Sequence, residues 1–114
     1  MVNVESIAPG QPQLVIVTLP GEIDMANVDD IGRQLTAPFL AGAGVVIADM
    51  TATTFCDSLG IGMLVKAWRQ ATAHGGQLRL LVPCPGVLKV MDVLGVSAVL
   101  PIYHSLEKAV ADAG

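Results

Sequence analysis

The chain has 114 residues and a mass of 11.8 kDa, within the size of a single compact domain. With 53% hydrophobic residues and a mean hydropathy of +0.64 it can bury a full core, which excludes a disordered tail. Ten acidic residues against six basic ones give a net charge of −4. That balance disfavours a phosphate backbone or an anionic membrane surface as a direct partner, because both need a basic face.

The charge-free stretches 6–21, 34–48 and 93–105 are each interrupted by Pro, Gly or polar residues and fall short of the ~20 apolar residues of a spanning helix. Glu5 stands where a signal peptide carries a basic residue, and no apolar run follows it, so the expected location is the cytoplasm. Two cysteines, Cys56 and Cys84, are too few for a disulfide framework or a complete zinc site and read as reduced core thiols. Both follow strand ends, which leaves a reversible disulfide between them open.

Taken in order, Val2, Val4 and Ile7 alternate with polar residues like an edge strand, and Pro9-Gly10-Gln11-Pro12 supplies a turn. Leu14–Leu19 is a continuous apolar run, so the two segments predict an antiparallel hairpin. Pro20-Gly21 ends it. Asp24 or Asn27 can cap a helix to about Leu40, with Val28, Ile31, Leu35 and Phe39 on one face and Pro38 ending its regular geometry. Val45–Met50 reads as a central strand buried on both faces, and Thr51–Cys56 as a loop.

Asp57-Ser58 opens a second helix, with Ile61, Leu64, Val65 and Trp68 as its buried stripe and Gly75 just beyond its end. Gln77–Val82 is the next strand, followed by a short helix carrying Val87, Val90, Met91 and Leu94. Ala98–Ile102 reads as a last strand, and Ser105 caps a terminal helix. The order ββαβαβαβα predicts an α/β fold: a mixed, mostly parallel sheet of about five strands with an N-terminal antiparallel hairpin and about four helices. Residues 1–114 form one domain, without repeats or linkers.

Signatures of catalysis are sparse. His74 lies at a helix C-terminus and His104 before a helix cap, neither with a second ligand at metal-binding spacing. Gly60-Ile61-Gly62 has only part of a dinucleotide fingerprint, since Val65 takes the third glycine position. No cofactor or metal is expected, and the chain does not read as an enzyme. The Asp57-Ser58 pair beyond a central strand lies where functional groups gather in open α/β sheets, though both residue types are also ordinary helix caps. Gly60 and Gly62 exceed what a cap needs. Glycine in a helix is unfavourable by up to ~1 kcal/mol against Ala, and here it leaves space for another backbone to approach the Ser58 hydroxyl.

The run Asp57-Ser58-Leu59-Gly60-Ile61-Gly62 resembles the Asp-Ser-Ser/Thr-Gly-Leu-Gly signature of the STAS family of bacterial anti-sigma factor antagonists. Gly21-Glu22-Ile23-Asp24, Gly75-Gly76-Gln77-Leu78-Arg79-Leu80 and Met91-Asp92-Val93-Leu94-Gly95 resemble further family segments in the same order, so the similarity covers essentially the whole chain. One departure is Leu59, where many members carry a second Ser or Thr.

The resemblance implies a switch. An anti-sigma factor with serine kinase activity would bind the unphosphorylated chain and release its sigma factor. Phosphorylation at Ser58 would end that binding, and a PP2C-type phosphatase would restore it. Asp24, Asp57, Ser58, Leu59, Gly60 and Ile61 are the expected partner-binding residues, converging on one exposed rim, with the chain a monomer or weak dimer. Asp24 is open between helix cap and partner orientation. The alternative reading is a STAS accessory or ligand- or lipid-binding subunit of a transport or stress-sensing complex.

Overall fold

A computed structural model describes the backbone of residues 2–6 and 13–111 and the side chains of residues 13–111. The Pro9–Pro12 turn and Ile7 lie outside the described residues. The elements are β1 (Val2–Ser6), β2 (Gln13–Thr18), β3 (Glu22–Ile23), α1 (Val28–Leu40), β4 (Val45–Asp49), β5 (Phe55–Cys56), α2 (Ser58–Ala73), β6 (Gln77–Leu81), α3 (Pro85–Val93), a 3₁₀ turn (Val96–Ala98), β7 (Ile102–Tyr103) and α4 (Leu106–Ala111).

The main sheet has five strands in the order β1-β2-β4-β6-β7. β1 runs antiparallel to β2, whereas β2, β4, β6 and β7 are parallel neighbours. This is the mixed, mostly parallel sheet with an N-terminal hairpin that the sequence predicts.

Why the central strands read as unbroken apolar runs is visible in their two faces. Val15 and Val17 of β2, Val46 and Ala48 of β4, and Leu78 and Leu80 of β6 point into the larger core, covered by α1, α2 and α3. Leu14, Ile16, Ile47 and Leu81 point the other way, into a smaller cluster with Ala109 of α4. Period-two alternation delivers apolar groups to both sides, so no polar face interrupts the run. Arg79 is the exception on the α4 side. It is only 4% exposed, and its Nη1 donates to the Ala109 carbonyl at 2.7 Å while Nε and Nη2 donate to Gln77 Oε1. A guanidinium buried this far is satisfied by supplying the C-terminal end of a helix with a donor.

Three expectations are corrected. Phe55–Cys56 is not loop but a two-residue strand, pairing in parallel with β3 as a separate small sheet. Of the expected strand Ala98–Ile102, residues 98–101 are not strand: the N–H groups of Val99 and Leu100 both donate to Val96 O, and Pro101 has no N–H to offer. The last strand is confined to Ile102–Tyr103, joined to β6 through Leu80 N to Pro101 O and Val82 N to Tyr103 O, each 2.9 Å. Pro38 lies inside α1, which continues to Leu40. α2 ends as its sequence suggests, with Gly75 at φ +76.

Candidate functional site

The site is built where the small sheet hands the chain to two helices. Thr53, fully buried, donates from Oγ1 to Pro20 O at 2.8 Å, and the Thr54 N–H donates to Gly21 O at 2.8 Å. These bonds tie the loop after β4 to the turn after β2 and bring β5 alongside β3. Parallel pairing sets Glu22 opposite Phe55 and Ile23 opposite Cys56, and the Asp57 N–H donates to Ile23 O at 3.2 Å. Asp24 and Asp57 are the residues that follow this pair, so register places the two carboxylate-bearing positions side by side at the end of the small sheet.

Each acid is engaged in its own helix entry. Asp24 Oδ1 accepts from the Ala26 N–H at 2.9 Å, and the Asp24 N–H donates to Asn27 Oδ1 at 3.1 Å. Asn27 occupies the N-cap position of α1, but its side chain bonds backward, with Nδ2 donating to Glu22 O at 2.8 Å. Asp57 is the N-cap of α2, and its Oδ1 accepts from the Gly60 N–H at 2.9 Å. Capping therefore falls to Asp57, and Ser58, the exposed first residue of α2, is left outside that bond.

The two glycines after Ser58 do opposite things. A Cβ on Gly60 would lie 2.6 Å from Cys56 Sγ and 2.8 Å from Ile23 Cγ2, so Gly60 lets the first turn of α2 pack onto the small sheet. Gly60 is buried and Ile61 is 2% exposed. The expectation that both lie on an exposed rim, with Gly60 admitting a partner's backbone, is corrected: tight packing against β3 and β5 turns them inward. Gly62 is exposed, and a Cβ there would meet nothing within 4 Å. Of the six residues proposed from sequence, Ser58 and Leu59 face solvent, Asp24 and Asp57 are half-buried beside them, and Gly60 and Ile61 support them from beneath.

Exposed apolar groups frame this polar centre. Met25, Phe55 and Leu59 are 79%, 49% and 54% exposed and are contributed by the same β3, β5 and α2 junction. Large apolar side chains gathered round a polar centre are a feature of protein-binding surfaces. Beneath them Cys56 is 4% exposed, and burial together with the negative charge of Asp57 pushes its thiol pKa from 9.0 up to about 11. A thiol held neutral in this way suits packing and not nucleophilic chemistry. Cys56 and Cys84 are both free.

From Ser58 a groove of about 510 Å³ runs between α1 and α2, and the sequence reading did not identify it. Its signal was present in the spacing of Ser58, Gly62 and Lys66, four residues apart and hence near one face of a helix. The contribution of α1 could not be read in this way, because it depends on how the helices pack. Among the described residues, no group of three or more His, Cys, Asp or Glu side chains is arranged to hold a metal ion, and no helix is long and apolar enough to cross a membrane.

A family model described as the STAS domain matches residues 5–109. An anti-sigma F factor antagonist of Lysinibacillus sphaericus is 30% identical over 84 residues, covering 73% of this chain and 72% of the relative. Among solved structures, the anti-sigma factor antagonist SpoIIAA in its unphosphorylated form is similar with a TM-score of 0.73 and 26% identity, over 96% of this chain and 93% of that one. An anti-sigma factor antagonist from Mycobacterium paratuberculosis shares the fold with a TM-score of 0.79 at 21% identity, over 96% and 90% of the two chains.

Proposed function

We propose that this chain, which belongs to the STAS domain family, is an anti-sigma factor antagonist switched at Ser58. In the unphosphorylated state the rim formed by Asp24, Asp57, Ser58 and Leu59 binds an anti-sigma factor that is also a serine kinase, and the sigma factor is released. The kinase transfers the γ-phosphoryl group of ATP to Ser58 Oγ; the O–H bond breaks, the proton leaves to a base on the kinase, and ADP departs. A PP2C-type phosphatase hydrolyses the ester and restores the hydroxyl.

The observation that carries this reading is the division of labour at the start of α2. Asp57 caps the helix, and Ser58 stands exposed on the first turn beside it. Modification therefore leaves the cap in place. A phosphate adds about −1.5 to −2 charge at a helix N-terminus, where the dipole tolerates it within the fold. A docked partner meets a different situation: the new charge lies beside Asp57 and Asp24, and desolvation and like-charge repulsion act against the complex. The similarity to the anti-sigma factor antagonist SpoIIAA, solved in its unphosphorylated form, supports this reading.

The test is incubation with an anti-sigma factor kinase of the source organism and ATP, followed by intact-mass measurement. One phosphate is expected on the wild type and none on Ser58→Ala, which should bind the anti-sigma factor constitutively. Equal phosphorylation of the variant would place the acceptor elsewhere. Absence of transfer and of binding would favour an accessory or ligand-binding role in a transport or stress-sensing complex.

A further inference from the structure

We propose that the groove between α1 and α2 seats an amphipathic segment of the partner, which sets a carboxylate between Arg33 and Lys66 and apolar side chains over Leu59 and Met63. The proposal deepens the reading above and rests on it, since it names the chemistry that the bound partner must present.

Gly62 is the first reason. Glycine is among the poorest helix formers, and α2 continues for eleven residues beyond it, to Ala73. Elsewhere along these two helices glycine has a visible cause. Gly60 is pressed against Cys56 and Ile23, and a Cβ on Gly32 of α1 would lie 3.3 Å from Met63 Cγ, where the helices meet. Gly62 has neither a close neighbour nor a positive φ. It lines the groove as an open position, and no described residue requires its smallness.

Charge is the second reason, and it chooses the occupant. The chain carries only six basic residues and a net charge of −4, yet Arg33 and Lys66 stand on opposite walls of the same groove. Lys66 has no ion pair among the described residues, and Arg33 reaches only Asp30, at 3.6 Å in a pair exposed on both sides. Exposed pairs of this kind hold a side chain weakly, so Arg33 is available to a better-placed carboxylate. Asp29 lines the groove as well, and Asp57 caps α2 at the Ser58 end. An occupant with its acidic group toward Arg33 and Lys66, and none near Ser58, matches this polarity. A phosphate on Ser58 would stand at the entrance of its path.

The experiment titrates purified anti-sigma factor kinases of the source organism against four variants: Gly62→Leu, Lys66→Glu, Lys66→Arg and Arg33→Glu. We expect Gly62→Leu to weaken binding at least tenfold while its melting temperature holds or rises. Arg33→Glu and Lys66→Glu should each weaken it about tenfold and flatten its salt dependence, and Lys66→Arg, which keeps the charge, should bind nearly as the wild type does. Wild-type affinity in all four, with Ser58 phosphorylated normally, overturns the groove and leaves the switch standing. Weakened variants without any phosphorylation of Ser58 support the groove and overturn the switch. A wild type that binds no such kinase overturns both. Self-association abolished by Gly62→Leu, with partner affinity unchanged, assigns the groove to a second copy and overturns the proposal.

Discussion

The sulfur of Cys56 lies 2.6 Å from the position that a Cβ on Gly60 would take, and Ile23 Cγ2 lies 2.8 Å from it. Helix α2 begins against the small sheet because residue 60 has no side chain. Gly60→Ala should therefore destabilise the fold by about 1–3 kcal/mol, since overpacking outweighs the gain in helix propensity. Urea unfolding of the single variant, Cys56→Ala and the double variant measures it. The double variant should recover part of the loss, because the sulfur is removed while Ile23 stays. Strictly additive effects would contradict the contact.

Gly62→Ala should act in the opposite direction. The helix gains propensity and the new methyl meets nothing within 4 Å, so stability should rise by about 0.5–1 kcal/mol. A thermal melt showing a loss would mean that the position is crowded.

Asp57 and Ser58 should separate in the same assay. Asp57→Ala removes the side chain that accepts from the Gly60 N–H and should cost about 1 kcal/mol. Ser58→Ala alters an exposed residue outside the cap and should stay within about 0.5 kcal/mol of wild type. The reverse ranking would make Ser58 the cap and remove the freedom that the switch relies on.

Cys56 should give stability an alkaline dependence. Its folded pKa is raised, from 9.0 to about 11, so between those values the unfolded chain gives up its proton before the folded one does. The Cys56 contribution is intact below pH 9 and falls as pH rises toward 11, by on the order of 2 kcal/mol across that window. Unfolding free energies of wild type and Cys56→Ala at pH 8 and pH 10.5 test it. The wild type should lose more over that interval, whatever the fixed penalty of the substitution.

Local pattern made much of this protein legible from its residues alone. Apolar runs in Leu14–Leu19 and Val45–Met50 and the strand pattern of Gln77–Val82 mark the sheet, and three- and four-residue spacings in 28–39 and 61–68 mark the helices that cover it. Periodicity of this kind records which way each side chain must point, so it survives without coordinates. The Asp57-Ser58 pair reads as a helix start because both residue types are preferred N-caps. Tertiary structure decided what pattern does not encode. Strands of two residues, β3 and β5, have no period to read and are brought together by contacts such as those of Thr53 and Thr54 with the turn after β2. Residues 60 and 62 are both glycine in one helix, yet one faces Ile23 and Cys56 and the other faces open space. That difference is set by which distant segment lies opposite each position, and only the folded chain brings those segments together.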